Sequence, residues 1–241
     1  MLLLWKPRWP ATPAGWAHLA VVGLLMHAAQ LGGSHYAQYL GMSAGVSALM
    51  LSCQPLLTAF IAAQFLHERL KPGQWLGVFV GLAGVALVVW HKLDIRELTF
   101  GSLLGALIAL ASVTAATLYQ RRFAPQADLK AAAVIQFATA AIVVTPLAFA
   151  IEGFQFTSSW ILWGAVAVLV IFTSLLGLSA FYYLLRHGEA TRVTSMMYLP
   201  PVFAVVLEAV WFGLVPSALA LAGMAVACAG VAMVLWRPRW K

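Results

Sequence analysis

The sequence predicts an all-α integral membrane protein of about eight transmembrane helices. Three observations carry that prediction. The 241-residue chain is 63% hydrophobic and only 9% charged, with a mean hydropathy of +0.92. A water-soluble domain is about 45–50% apolar and about 25% charged. Its apolar residues fall into runs of about 20, the length that crosses a bilayer core. Its basic residues gather in alternate connections between those runs.

The runs are 16–39, 43–66, 72–90, 101–120, 130–151, 160–185, 192–213 and 216–236. They are too long and too continuous for the alternating strands of a membrane barrel. Helix is also the form that satisfies every backbone hydrogen bond within one segment in lipid. The opening residues "MLLLWKPRWPATPAG" do not read as a cleaved signal, because their charges follow the apolar run.

Orientation follows from lysine and arginine. Lys6 and Arg8 precede the first run, and Arg69 and Lys71 lie between the second and third. Arg121, Arg122 and Lys130 lie between the fourth and fifth, and Arg186 and Arg192 between the sixth and seventh. Arg237, Arg239 and Lys241 follow the last. These connections all lie on one side, and the other side holds only Lys92 and Arg96. The positive-inside rule therefore predicts two cytoplasmic termini in a multi-pass protein of the plasma membrane, the inner membrane in a bacterium. The same distribution explains the net charge of +7 as topology, so no nucleic-acid partner is expected.

The chain repeats itself. "QPLLTAFIAAQFLHERLKPGQWLGVFVGLAGVALVVW" at 54–90 aligns without a gap on "PPVFAVVLEAVWFGLVPSALALAGMAVACAGVAMVLW" at 200–236, at an offset of 146. Pro55 falls on Pro201, Gly77 on Gly223 and Trp90 on Trp236. The repeat extends over 16–90 and 162–236, and the two copies begin on opposite sides of the membrane. Inverted repeats are a construction rule of secondary transporters. Two more helices precede the second copy, so a complete first repeat would begin roughly 45 residues before Met1. The expected organisation is an incomplete first repeat at 1–91, an outer linker at 92–100, a five-helix second repeat at 101–236 and a cytoplasmic tail at 237–241. A misassigned start, a fragment and an eight-helix variant all fit that pattern.

The stretch "GMSAGVSALMLSCQPLLTAFIAAQFLHERLKPGQWLGVFVGLAGVALVV" resembles the signature region of the EamA domain of the drug/metabolite transporter superfamily. "ATLYQRRFAPQADLKAAAVIQFATAAIVVTPLAF" resembles the start of that family's second domain, and "HERLKPGQWLGVFVGLAGVALVV" at 67–89 is the most specific part. The resemblance implies ten helices in two inverted five-helix domains, and export or exchange of small metabolites, often amino acids. Relative to that pattern the first two helices are absent. The second copy has "FGLVPS" in place of "LHERLK", so Glu68 has no counterpart at Leu214.

Glu208 is the acidic residue that lies inside a run. A buried carboxylate is costly in lipid and faces a cavity or a partner, so Glu208 reads as a proton-coupling or substrate-amine site. The bland alternative is a glutamate reaching the outer headgroups. His27, Gln30, Ser34 and Gln38 recur at spacings of three and four, a polar stripe on one helical face with His35 beside it. Such a stripe lines a cavity or bonds neighbouring helices. Gln136 and Thr139 form a similar pair, and Tyr198 shares a face with Pro201. Tyr182 and Tyr183 read as interface anchors. Pro55 and Pro201 read as mid-helix hinges. Gly77, Gly81 and Gly84, matched by Gly223, Ala227 and Gly230, read as a close-packing face. Glu68, Arg69 and Lys71 read as a solvated turn.

Cys53 and Cys228 sit in apolar runs without metal-ligand spacing and read as small hydrophobes. The two histidines eight apart do not make a metal site. No HExxH, GxSxG or GxxxxGK[ST] motif occurs, so no enzyme activity, cofactor, metal or direct ATP drive is expected. The predicted function is a secondary, proton-coupled transporter or exporter of a small polar metabolite such as an amino acid or drug. Lipid surrounds it, and a homodimer is among the expected partners. The alternative is a non-transporting membrane subunit that needs a partner chain.

Overall fold

The computed structural model describes residues 7–42, 44–65, 70–90, 99–153, 157–213 and 217–235. Glu68, Arg69, most of the 92–100 linker, the 237–241 tail and the basic residues Lys6, Lys92 and Arg96 lie outside the described residues. The described chain is helical throughout and has no strand. Every predicted run is occupied by helix, as a multi-pass membrane protein requires. Among the described residues, five helical stretches are long and apolar enough to cross a bilayer, and two more, Pro72–Val88 and Trp160–Phe172, are shorter and apolar.

The first run holds α1 (Pro13–Gly23), a π-helical segment Leu24–Ala29 and α2 (Gln30–Tyr39). Thr12 caps α1 by accepting from Gly15 N at 3.2 Å, and Pro13 occupies the first turn, where its missing N–H costs nothing. The second run is two helices, α3 (Ala44–Leu51) and α4 (Gln54–Phe65), parted by a turn at 52–53. Then come α5 (Pro72–Val89), α6 (Phe100–Phe123) and α7 (Leu129–Glu152). Asp128 caps α7 through Lys130 N at 3.0 Å and Ala131 N at 3.1 Å. Gly153, at φ 64°, ends it in a left-handed conformation that suits glycine.

The sixth run joins α8 (Trp160–Val168), a π-helical segment Leu169–Gly177 and α9 (Leu178–His187). The seventh joins α10 (Ala190–Ser195), a 3₁₀ turn Met196–Tyr198 and α11 (Leu199–Phe212), and α12 (Ala218–Leu235) closes the described chain.

The irregularities obey the repeat. Shifted by 146, Leu24–Ala29 falls on 170–175, inside the second π-helical segment. The break at 52–53 falls on 198–199, at the end of the 3₁₀ turn. Pro55 and Pro201 therefore do not bend continuous helices. Each sits in the first turn of a restarted helix, α4 or α11, where a proline is tolerated because that N–H has no intrahelical partner.

Two compact units emerge, and each draws on both halves of the repeat. One contains Met1–Ala29 and Ala115–Gly188, the other Gln30–Thr114 and Glu189–Lys241. In the first, Leu19 packs on Ala132 and Ile135. Gly23 lets α1 approach the α7 backbone so closely that an added Cβ would lie 2.6 Å from Gln136 Cα. The C-terminal half of α7 and nearly all of α8 are exposed, including Ile142, Phe149, Trp160 and Ile161, a surface suited to cover by lipid or another apolar helix.

In the second unit α5 and α12 are the tightest pair. A Cβ at Gly77 would lie 2.8 Å from Gly230 O, and one at Gly223 would lie 2.7 Å from Val88 N. Gly33 and Gly105 make a second close approach, between α2 and α6. Small residues at such crossings let backbones come into dispersion contact, the main cohesive force between helices in lipid. Val85, Tyr198, Val202, Ala227 and Val231 form the core beside the α5–α12 crossing.

Candidate functional site

The first unit contains a buried polar cluster. Gln136 on α7 is fully buried. Its Nε2 donates to Gln120 Oε1 at 3.3 Å, and its Oε1 accepts from Tyr182 OH at 2.7 Å. Gln120 Nε2 in turn donates to Ala124 O at 3.2 Å. Gln120 lies on α6 and Tyr182 on α9, so one amide ties three helices together. Next to it the His27 ring stacks on Phe137 at 4.4 Å between centroids. Gln136 is close enough to interact with that ring, but among the described residues no hydrogen bond reaches the buried His27 Nε2. Thr139 donates to Ile135 O at 2.7 Å, within its own helix.

The rest of the stripe lies in the second unit. Ser34 is buried and bonds Ser47 at 3.3 Å. Gln30 is half-buried, and Gln38 and His35 are exposed. The π-helical segment ends between His27 and Gln30. Its i→i+5 turns widen the helix and break the 3.6-residue phase on which the stripe was counted. His27 and Gln30 fall in different units.

Tyr198 is buried at the end of the 3₁₀ turn. Its hydroxyl donates to Val78 O at 3.1 Å, and its ring fills the space where Gly81 has no side chain. Tyr182 is 2% exposed, and Tyr183 at 55% has the exposure of an interface anchor. Thr58 is buried, and its hydroxyl has no hydrogen-bond partner among the described residues. Glu208 lies on α11 and Pro201 in its first turn, but their side chains are outside what is described.

Sequence reasoning missed Gln120 and misread Tyr182. Gln120 directly precedes Arg121 and Arg122 and so reads as the polar end of a helix. Tyr182 lies four residues from Arg186, where tyrosine normally anchors at the headgroups.

The described chain is thus a multi-pass helical membrane protein whose two halves share their breaks and close-packing glycines. It belongs to the EamA-like transporter family, whose model matches residues 1–90 and 99–236. Among its relatives, "Uncharacterized inner membrane transporter YedA" of Escherichia coli K12 is 28% identical over 190 residues, 78% of this chain and 60% of that protein. "Probable terminal-alkyne amino-acid exporter" of Streptantibioticus cattleyicolor is 27% identical over 195 residues, 79% of this chain and 64% of that protein. The chain therefore spans about 60% of the length of the curated relatives it matches. A solved crystal structure 20% identical to it superposes with a TM-score of 0.73 over 93% of this chain and 88% of that one, a likeness of fold.

Proposed function

We propose that this chain works as a secondary transporter of a small polar metabolite, an amino acid or a drug of similar size, in a bacterial inner membrane with both termini cytoplasmic. The observation that carries this reading is the recurrence of helix irregularities at one offset: π-helical segments in runs one and six, and breaks in runs two and seven. Breaks at equivalent depths of two inverted halves are where transporters hold substrate and change access. The family membership and the exporter name of one relative support the same reading and export as its direction. They favour transport over catalysis.

In this mechanism the two halves exchange conformations. In the second unit α4 packs on α10. With the proposed orientation these are the cytoplasmic parts of the two broken runs, so their contact closes the inner side. The repeat makes α3 and α11 their counterparts, and packing of that pair would close the outer side. The turn at 52–53 and the 3₁₀ turn Met196–Tyr198 are the hinges, each followed by its proline, Pro55 or Pro201. His27, Gln30, Ser34, Gln38, Gln136, Thr139 and Tyr198 are the proposed substrate contacts, and Glu208 the proton-coupling group.

Uptake of a radiolabelled amino-acid mixture into proteoliposomes under an imposed pH gradient tests this. Glu208→Gln should abolish the pH-driven component, and pH dependence unchanged in that variant would remove Glu208 from the mechanism.

The exposed α8 favours a second reading, in which the chain is a subunit completed by a partner, a second copy included. Monodisperse protein that neither binds nor moves any amino acid would select this second reading.

A further inference from the structure

The first unit carries a pocket of about 890 Å³ where the chain enters α1 and passes from α6 to α7. Its walls are the residues before α1, the connection 124–128 and Arg186 near the end of α9. Most of the lining comes from the segments that flank α1, α6 and α7, with Gly15, Leu19, Phe123, Ala131 and Arg186 in the end turns of the helices themselves or close to them.

Two arginines line it. Arg8 is exposed and makes no hydrogen bond or ion pair with the described residues. Arg186 gives one guanidinium nitrogen to Gln126 Oε1 at 2.6 Å, which holds the group in place and leaves its other N–H donors available. The acidic residue in the lining, Asp128, uses Oδ1 on two backbone N–H groups of α7. Thr12 likewise occupies the start of α1. Binding power for an anion therefore resides in the two guanidinium groups. The rim is aromatic: Trp9 stacks on Trp16 at 5.6 Å, and Trp16 Nε1 donates to Pro10 O at 3.0 Å. Paired tryptophans beside arginines are the usual furniture of the membrane interface.

We propose that this pocket binds a phosphate-bearing anion, held between Arg8 and Arg186, with Trp9 against its apolar portion. Guanidinium forks match phosphate oxygens in pairs. Phosphate chemistry has two sources here, an anionic lipid headgroup and a soluble phosphate compound. With the proposed orientation the pocket opens at the cytoplasmic leaflet, where basic pockets between helix ends collect acidic lipids.

Native mass spectrometry of the full chain in detergent tests this, with phosphatidylglycerol, phosphatidylcholine and inorganic phosphate as probes. The expected result is preferential retention of phosphatidylglycerol over phosphatidylcholine. Affinity should fall about fivefold in Arg8→Gln and about 25-fold when Arg186→Gln is added. Arg8→Lys should keep most of the binding, and Lys71→Gln, which is not among the lining residues, all of it. Displacement of phosphatidylglycerol by millimolar inorganic phosphate would assign the site to a soluble phosphate compound, and resistance to it would assign the site to lipid. Arg8 has no described contact to lose, so Arg8→Gln tests binding without the fold at stake. Equal retention of the two lipids, or unchanged phosphatidylglycerol binding in Arg8→Gln, overturns the proposal.

Discussion

Gly84 faces the α12 backbone so closely that an added Cβ would lie 2.6 Å from Ala227 Cα. Backbone cannot yield there without parting the two helices, so Gly84→Ala should cost about 1–3 kcal/mol, as overpacking does. Gly164 on α8 has nothing within 4 Å of the same added atom. Gly164→Ala should be neutral, or gain up to about 1 kcal/mol from helix propensity. Thermal unfolding in detergent measures both. Gln136 is the other position where one side chain decides much. Gln136→Leu strands the Tyr182 hydroxyl and the Gln120 carbonyl and should cost about 1–3 kcal/mol. Tyr182→Phe should then add little on the Gln136→Leu background, and a double-mutant cycle reads the coupling. Gln136 was legible because an amide inside an apolar run has to be satisfied by something. Which groups satisfy it was not legible, since the partners lie 16 and 46 residues away.

At the scale of elements, all eight helical runs could be read from hydropathy alone, to within three residues at nearly every described end. The breaks inside them could not. A π-helical segment has no side-chain signature, and "VVGLLMHAAQ" reads as continuous helix. The prolines signalled irregularity, but periodicity cannot distinguish a bent helix from a stopped and restarted one. The two cases differ energetically. A proline within a helix costs about 3 kcal/mol, whereas one in the first turn costs little. Pro55→Ala should therefore change stability by less than about 1 kcal/mol, as the restarted α4 requires. A gain near 3 kcal/mol on chemical unfolding would mean that Pro55 strains a continuous helix.

For the whole molecule, the repeat explains why irregularities come in pairs, and the polar stripe is divided between two units, His27 in one and Gln30, Ser34 and Gln38 in the other. Sequence spacing treats 16–39 as a single rod, yet the chain changes units at Ala29 and Gln30, where the π-helical segment ends. The central claim is that the paired breaks are hinges on which the two halves trade places. Double electron–electron resonance tests it most directly, on protein in lipid bilayers with Cys53 and Cys228 replaced by alanine. One spin-label pair goes on Ala63→Cys and Arg192→Cys, in α4 and α10. The other goes on Ala48→Cys and Phe203→Cys, in α3 and α11. The account predicts two distances for each pair, their populations moving in opposite directions when a mixture of amino acids is added. One fixed distance in each pair, with and without that mixture, would contradict it.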